Sequence, residues 1–315
     1  MQTDIVSSTN SEDRASSNRK WELRDLVVLS SATESAPEAK ASVSPASDAN
    51  DARSLAQTAV RSVPRPILDV LKLRGIEAPE QIANWFKPTL RSLRDPLSLK
   101  DMDKAVERLL LAREESIVLY GDYDLDGTSG LALALQALRE FGFTRVHGYQ
   151  PQRLTEGYGL HNEAIERLKR ETDCTLLISI DLGITAMEEV ETARALGIDV
   201  IVTDHHLPKR DADAVILPNA CAVVNPNRGD CPSQMGHLCG TGVIFYLVPA
   251  LRRALLEQGM LGGAESVLDP KELLDCFAIG TITDLVPLQF ENRILVKHGL
   301  VKLAETKRPG LQELL

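Results

Sequence analysis

Asp199-Val200-Ile201-Val202-Thr203-Asp204-His205-His206 is an apolar run that ends in a carboxylate and two imidazoles. A short, β-branched run of this kind predicts a buried strand, which puts the polar triplet at the strand's carboxyl end. Carboxylate and imidazole side by side point to metal or phosphate. The pattern occurs again where Ile117-Val118-Leu119-Tyr120 runs into Gly121-Asp122-Tyr123-Asp124-Leu125-Asp126-Gly127. At ~4 Å, like charges cost about 4 kcal/mol at an effective dielectric of about 20, so three clustered carboxylates need protons, water or cations. A divalent metal meets that need most directly. Ile178-Ser179-Ile180-Asp181-Leu182-Gly183 adds a fourth carboxylate after a third strand. Asp284, set between apolar residues in Gly280-Thr281-Ile282-Thr283-Asp284-Leu285-Val286-Pro287-Leu288, adds a fifth. Buried carboxylates are costly unless paired or metal-bound.

From Ser116 onward, strands are expected near 116–121, 144–149, 175–180, 199–203 and 221–224. Helices are expected near 128–141, 161–171, 185–196, 240–258, 271–280 and 291–305. This alternation predicts an α/β fold, a parallel β-sheet flanked by helices. Ligands of such sheets gather at the carboxyl ends of the strands, where Asp122, Asp181 and Asp204 fall.

With 315 residues, 43% of them hydrophobic, the chain can bury a full core. The formal net charge of -10 gives no overall attraction for nucleic acid, so a polyanionic partner would need a local basic surface or bound metal. No apolar stretch approaches the ~20 residues that span a bilayer, and no signal-peptide pattern opens the chain, so no membrane partner is expected and a cytoplasmic location is. Cys174, Cys221, Cys231, Cys239 and Cys276 lack CxxC spacing and read as reduced thiols, with Cys174 and Cys276 as packing residues. Cys231 and Cys239 flank His237 without the close cysteine pair of a structural zinc site. His147, His161, His237 and His298 show no partner that argues for function.

Residues 1–59 are rich in Ser, Ala, Asp and Glu and are expected to form a disordered leader. Residues 60–115 read as a helical, basic lead-in, broken into short helices by Pro64, Pro66, Pro79, Pro88 and Pro96. Its Arg61, Arg65, Lys72, Arg74, Lys87, Arg91, Arg94 and Lys100 form either a solvated surface or the positive flank of a polyanion groove. Residues 116–315 form the α/β domain.

The carboxylate loop lacks the bidentate Glu and entering helix of an EF-hand, and no Gly-Lys-Ser/Thr follows it as in a phosphate loop. The series strand-Asp-x-Asp-x-Asp-Gly, strand-Asp-x-Gly, strand-Asp-His-His and Gly-Thr-x-x-Asp-x-Val-Pro-Leu instead resembles the DHH phosphoesterase superfamily. The resemblance is closer to its RecJ branch of single-strand-specific 5′ exonucleases. It rests further on Arg153-Leu154-Thr155-Glu156-Gly157-Tyr158-Gly159-Leu160, Val224-Asn225-Pro226-Asn227, Gly240-Thr241-Gly242-Val243 and Glu291-Asn292-Arg293.

The resemblance implies two-metal hydrolysis of phosphodiesters, with Mn²⁺ or Mg²⁺ as cofactor. It makes Asp124 a ligand of one ion, Asp126, Asp284 and His205 ligands of the other, and Asp181 the bridge between them. Asp122 is an extra ligand or catalytic carboxylate, His206 faces the scissile phosphate, and Asp204 orients the histidine pair. Arg153 would grip phosphate, Tyr158 stack on a base and Asn225 contact substrate. The implied partners are single-stranded DNA, with RNA or short oligonucleotides as alternatives, and proteins of recombination and repair. Two departures qualify the match. Leu182 stands where the family usually has Asn, and family members continue past the equivalent of Leu315 into a DHH-associated domain and an oligonucleotide-binding module. The sequence therefore reads as a catalytic core whose activity alone is open. Alternatives are a phosphodiesterase for oligoribonucleotides or cyclic dinucleotides, and a non-catalytic nucleic-acid-binding or assembly module.

Overall fold

Five parallel strands in the order β2-β1-β3-β4-β7 make the central sheet: β1 Ile117–Gly121, β2 Val146–Tyr149, β3 Leu176–Ile180, β4 Asp199–Thr203 and β7 Ala222–Val224. The computed structural model describes residues 61–315 apart from 62, 213 and 263–266, and these belong to one compact unit, Ala52–Leu315. The expected leader, residues 1–59, lies outside the described residues. All five expected strands form: β1, β3, β4 and β7 are apolar runs that suit strands covered on both faces, while β2, Val146-His147-Gly148-Tyr149, is a partly exposed edge strand.

Alternation along the strands divides the core. Ile117, Leu119, Ile178, Ile180 and Ile201 point into one cluster, with α3 Met102–Leu111, α4 Leu125–Glu140, α7 Gly240–Glu257, α8 Leu274–Thr283 and α9 Phe290–Ala304. Val118, Tyr120, Leu177, Val200 and Val202 point the other way, against α5 Asn162–Thr172 and α6 Met187–Ala195. α7 is apolar on nearly every side as far as Leu251 and is buried over that length, while its last turns carry Arg252, Arg253 and Glu257.

Ahead of the sheet come α1 Arg65–Leu73 and α2 Pro79–Phe86, each with Pro at its start as expected for that residue. Several elements differ from the sequence reading. α3 falls in the stretch expected to be a helical, basic lead-in, but it buries Met102, Ala105, Val106 and Leu109 in the main core. An antiparallel hairpin of β5 Lys209–Asp211 and β6 Ala214–Ile216 follows the two histidines, and α10 Pro309–Leu314 follows α9. α8 begins after a 3₁₀ turn, Pro270–Leu273, slightly later than expected.

Candidate metal centre

The sheet register fixes the site. Gly121 pairs with Ile180, Ile180 with Thr203 and Thr203 with Val224, so Asp122, Asp181, Asp204 and Asn225 form one row just past the strand ends. The backbone N–H groups of Asp122, Asp181 and Asp204 donate to Ile180, Thr203 and Val224 at 3.1, 2.9 and 3.2 Å, extending the ladder by one step. β1 is followed in sequence by β2 on one side and bordered by β3 on the other, which makes this edge a switch point of the sheet. Asp181 has φ +65, in the left-handed region, and Gly183 follows at φ +109. The chain turns sharply there, which is a strained conformation for a non-glycine residue and one that clusters at functional sites.

Asp124 caps α4 by accepting from the Gly127 N–H at 3.0 Å. That turn brings Asp126 inward, where it is buried. Its Oδ2 accepts from the Gly240 N–H at 2.7 Å and its Oδ1 from the Thr241 N–H at 2.9 Å. The start of α7 is thus aimed at a carboxylate, as the helix dipole favours.

His205 Nε2 stands 3.2 Å from Asp181 Oδ1, 3.7 Å from Asp284 Oδ2 and 3.9 Å from Asp126 Oδ2. Asp284 arrives from the C-terminal end of α8. Asp126, His205 and Asp284 can share one cation, and Asp122, Asp124 and Asp181 another; Asp181, His205 and His206 form a third overlapping group, so the sets meet at Asp181 and His205. Asp122 Oδ1, Asp181 Oδ1, His205 Nε2 and Asp284 Oδ2 are buried without a hydrogen-bond partner. Four orphaned ligand atoms converging from separate elements fit hard or borderline divalent cations.

Asp204 is fully buried. Its Oδ1 accepts from His206 Nδ1 at 2.8 Å and from the N–H groups of His205 and His206 at 2.7 and 3.0 Å, while Oδ2 accepts from the Ile184 N–H at 2.9 Å. One carboxylate therefore fixes both histidine backbones and the His206 ring. His206 itself is half-exposed. Asn225 differs from its expected substrate contact: it is fully buried, donates to the His206 carbonyl at 2.9 Å and accepts from the Asn227 N–H at 2.7 Å. It occupies the fourth place in the row and holds the histidine loop. Asn227 does the same at the His205 carbonyl, 2.6 Å away. Leu182, where the resemblance implies an amide, is buried with Ile184 and Val202.

Burial, then the neighbouring Asp124 carboxylate, pushes Asp122 up to about 6. Burial also raises Asp181, with Asp126 and Asp204 adding repulsion, and raises Asp284 despite nearby His205. Burial would raise Asp204 too, yet its bond from His206 holds it below the usual carboxylate value, and the same bond raises His206. The centre thus divides into the Asp204–His206 pair and a set of carboxylates that outnumber the imidazoles beside them.

Beside it lies an aromatic wall. Tyr158 is 6.1 Å from the His206 ring and 6.5 Å from Tyr123, and the Arg153 guanidinium is 5.2 Å from the Tyr123 ring centre. Glu156 secures this loop by accepting from the Tyr149 hydroxyl at 2.6 Å, the Gln152 N–H at 2.7 Å and Arg167 at 3.0 Å. Tyr123 and Glu156 were not among the expected site residues. Nor was a partner expected for His237, whose Nε2 is 2.7 Å from Glu291, which also receives Arg94 at 2.8 Å. All five cysteines are free, and Cys174, Cys239 and Cys276 are buried.

Fold and site together define a parallel α/β protein with a carboxylate–imidazole centre on the carboxyl edge of its sheet. The sequence profile of the DHH family, N-terminal domain, matches residues 116–281, and the chain belongs to that family. It is 37% identical over 251 residues to the single-stranded-DNA-specific exonuclease RecJ of Bacillus subtilis, covering 79% of this chain and 29% of the relative. Against the Escherichia coli protein of the same name the identity is 38% over 246 residues, 77% of this chain and 41% of the relative. The chain therefore spans well under half the length of these relatives. Among solved structures, exonuclease RecJ bound to manganese superposes with a TM-score of 0.58 at 33% identity, over 69% of this chain and 51% of that one. RecJ in complex with Mn²⁺ from Thermus thermophilus gives 0.57 at 30% identity, over 75% and 33%. Among the described residues, no helix is long and apolar enough to cross a membrane.

Proposed function

We propose that this chain carries the catalytic centre of a metal-dependent, 5′-to-3′ exonuclease for single-stranded DNA, serving recombination and repair in the cytoplasm. The observation that carries the reading is the convergence of orphaned Asp181, His205 and Asp284 atoms beside Asp126. The single-strand specificity and polarity follow from the RecJ resemblance. The free cysteines suit a reducing compartment.

Asp126, His205 and Asp284 would hold one Mn²⁺ or Mg²⁺, Asp122 and Asp124 the other, with Asp181 between them. Such ions, when bound, activate water and neutralise charge on the oxygens of the phosphate under attack. The chain's own residues do the rest. His206 is held by Asp204 through Nδ1, which leaves Nε2 to hydrogen-bond a phosphate oxygen or give a proton to the leaving oxygen. Asp204 keeps that imidazole oriented and favours its charged form. Arg153 supplies a forked donor for phosphate, while Tyr123 and Tyr158 offer ring faces to bases.

The test is digestion of a single strand labelled at either end, with added Mn²⁺. Mononucleotides should leave the 5′ end first, Asp181→Asn should be inactive, and a blunt duplex should resist. Release from the 3′ end, or equal activity of Asp181→Asn, would overturn the reading.

A further inference from the structure

A cavity of ≈ 590 Å³ opens between α1–α2 and the start of α9, away from the carboxylate row. Arg293 lies over Trp85, 3.6 Å from the ring centre, and donates from Nε and Nη2 to the Trp85 carbonyl at 3.2 and 3.0 Å. The Arg74 guanidinium is 5.9 Å from the same ring. Among the described residues neither arginine forms an ion pair, whereas Arg94, on the wall bearing Phe290, is neutralised by Glu291 at 2.8 Å. Burial and the like charge of Arg74 pull Arg293 below its ordinary value. Arg293 is half-buried and has the exposed Arg74 charge near it, and an anion bound between the two would relieve both its lost solvation and that repulsion.

We propose that this cavity is a nucleotide-phosphate site, with Arg74 and Arg293 gripping the phosphate and the exposed Phe290 ring taking the base. Paired guanidinium groups are the usual phosphate donors, and an exposed ring stacks on any base. The volume falls in the range of about 300–1,000 Å³ typical of small-ligand pockets. Pro287, on the rim, is three residues after Asp284, which limits their Cα separation to about 11 Å. The nucleotide is either free or part of a strand that also reaches the metal centre. Recognition here needs no metal, so the site stands independently of the exonuclease reading.

Trp85 is its own reporter. The chain has two tryptophans, so Trp21→Phe leaves Trp85 as the sole emitter. In EDTA, this protein would be titrated with 5′-dAMP, with a short oligothymidylate and with deoxyadenosine. Emission should respond to dAMP, to the oligonucleotide or to both, and not to deoxyadenosine. A response to the oligonucleotide alone supports the site as part of the strand path; a response to dAMP supports it as a mononucleotide pocket. Arg74→Glu alters an exposed side chain and should weaken binding at least about tenfold, the loss of one charged hydrogen bond. Arg293→Gln should weaken it further, and Asp181→Ala should leave it unchanged. No response to either phosphate compound, an equal response to deoxyadenosine, or unaltered affinity in Arg74→Glu would overturn the proposal, whatever the nuclease assay shows.

Discussion

Gly240 at the start of α7 lies so close to Asp181 that a Cβ there would fall within 3.0 Å of the Asp181 carboxylate, nearer than real Cβ contacts come. The same glycine's N–H holds Asp126. One residue without a side chain thus sets the spacing of two acidic groups from different elements. Gly240→Ala should fold at a cost of about 1–3 kcal/mol from overpacking and displace Asp181. Metal affinity should fall about 10–100-fold, read by calorimetric titration with Mn²⁺. Unchanged affinity would mean that Asp181 does not bind metal.

The adjacent histidines should separate. His205 points into the acidic cluster, while His206 turns toward Asp204 and solvent. His205→Ala is expected to weaken both Mn²⁺ binding and turnover. His206→Ala should retain metal affinity within about threefold and lose about 10²–10⁴ in kcat, the usual worth of a positioned acid. Equal metal loss in both variants would contradict the division.

Without metal, the centre should make the protein less stable as pH rises. Asp122, raised to about 6, binds a proton in the folded state that the unfolded chain releases near its ordinary 3.8. Its contribution is therefore complete below that ordinary value and lost as pH climbs through about 6. Asp204, shifted down, loses its contribution at lower pH, outside this window, and His206, raised by Asp204, loses its own at higher pH. In EDTA the Tm should fall between about pH 4 and 6 as Asp122 ionises. Mn²⁺ should restore more at pH 7 than at pH 5, with about 2.7 kcal/mol gained at a hundredfold excess over Kd. A metal-induced Tm shift that shrinks as pH rises would run against this.

The row of polar residues was legible because each follows a run such as Leu176–Ile180 that is buried from both sides, so period and position agreed. Asp284 was legible for the opposite reason, a charge among apolar neighbours. Other features depend on contacts between distant segments, which local pattern does not carry. Tyr123 sits between two aspartates in sequence, and only the Glu156-pinned loop brings Tyr158 and Arg153 against it. The His237–Glu291 pair joins the approach to α7 with α9. The β5–β6 hairpin has three-residue strands with largely exposed side chains, too short and too wet to leave a burial pattern. Asn225 was placed at the right edge, but only the register showed its side chain turned toward the His206 carbonyl.

Asn225→Ala should cost about 1–3 kcal/mol, because it leaves the His206 carbonyl and the Asn227 N–H without their buried partner. With His206 loosened, kcat should drop more than KM changes. A rise in KM at constant kcat would return Asn225 to the role of a substrate contact.

The most direct measurement is anomalous diffraction from crystals equilibrated with Mn²⁺. One ion is expected among Asp126, His205 and Asp284 and a second beside Asp122 and Asp124, with Asp181 touching both. An absent signal at this edge of the sheet, or Mn²⁺ bound only away from Asp181, would contradict the account.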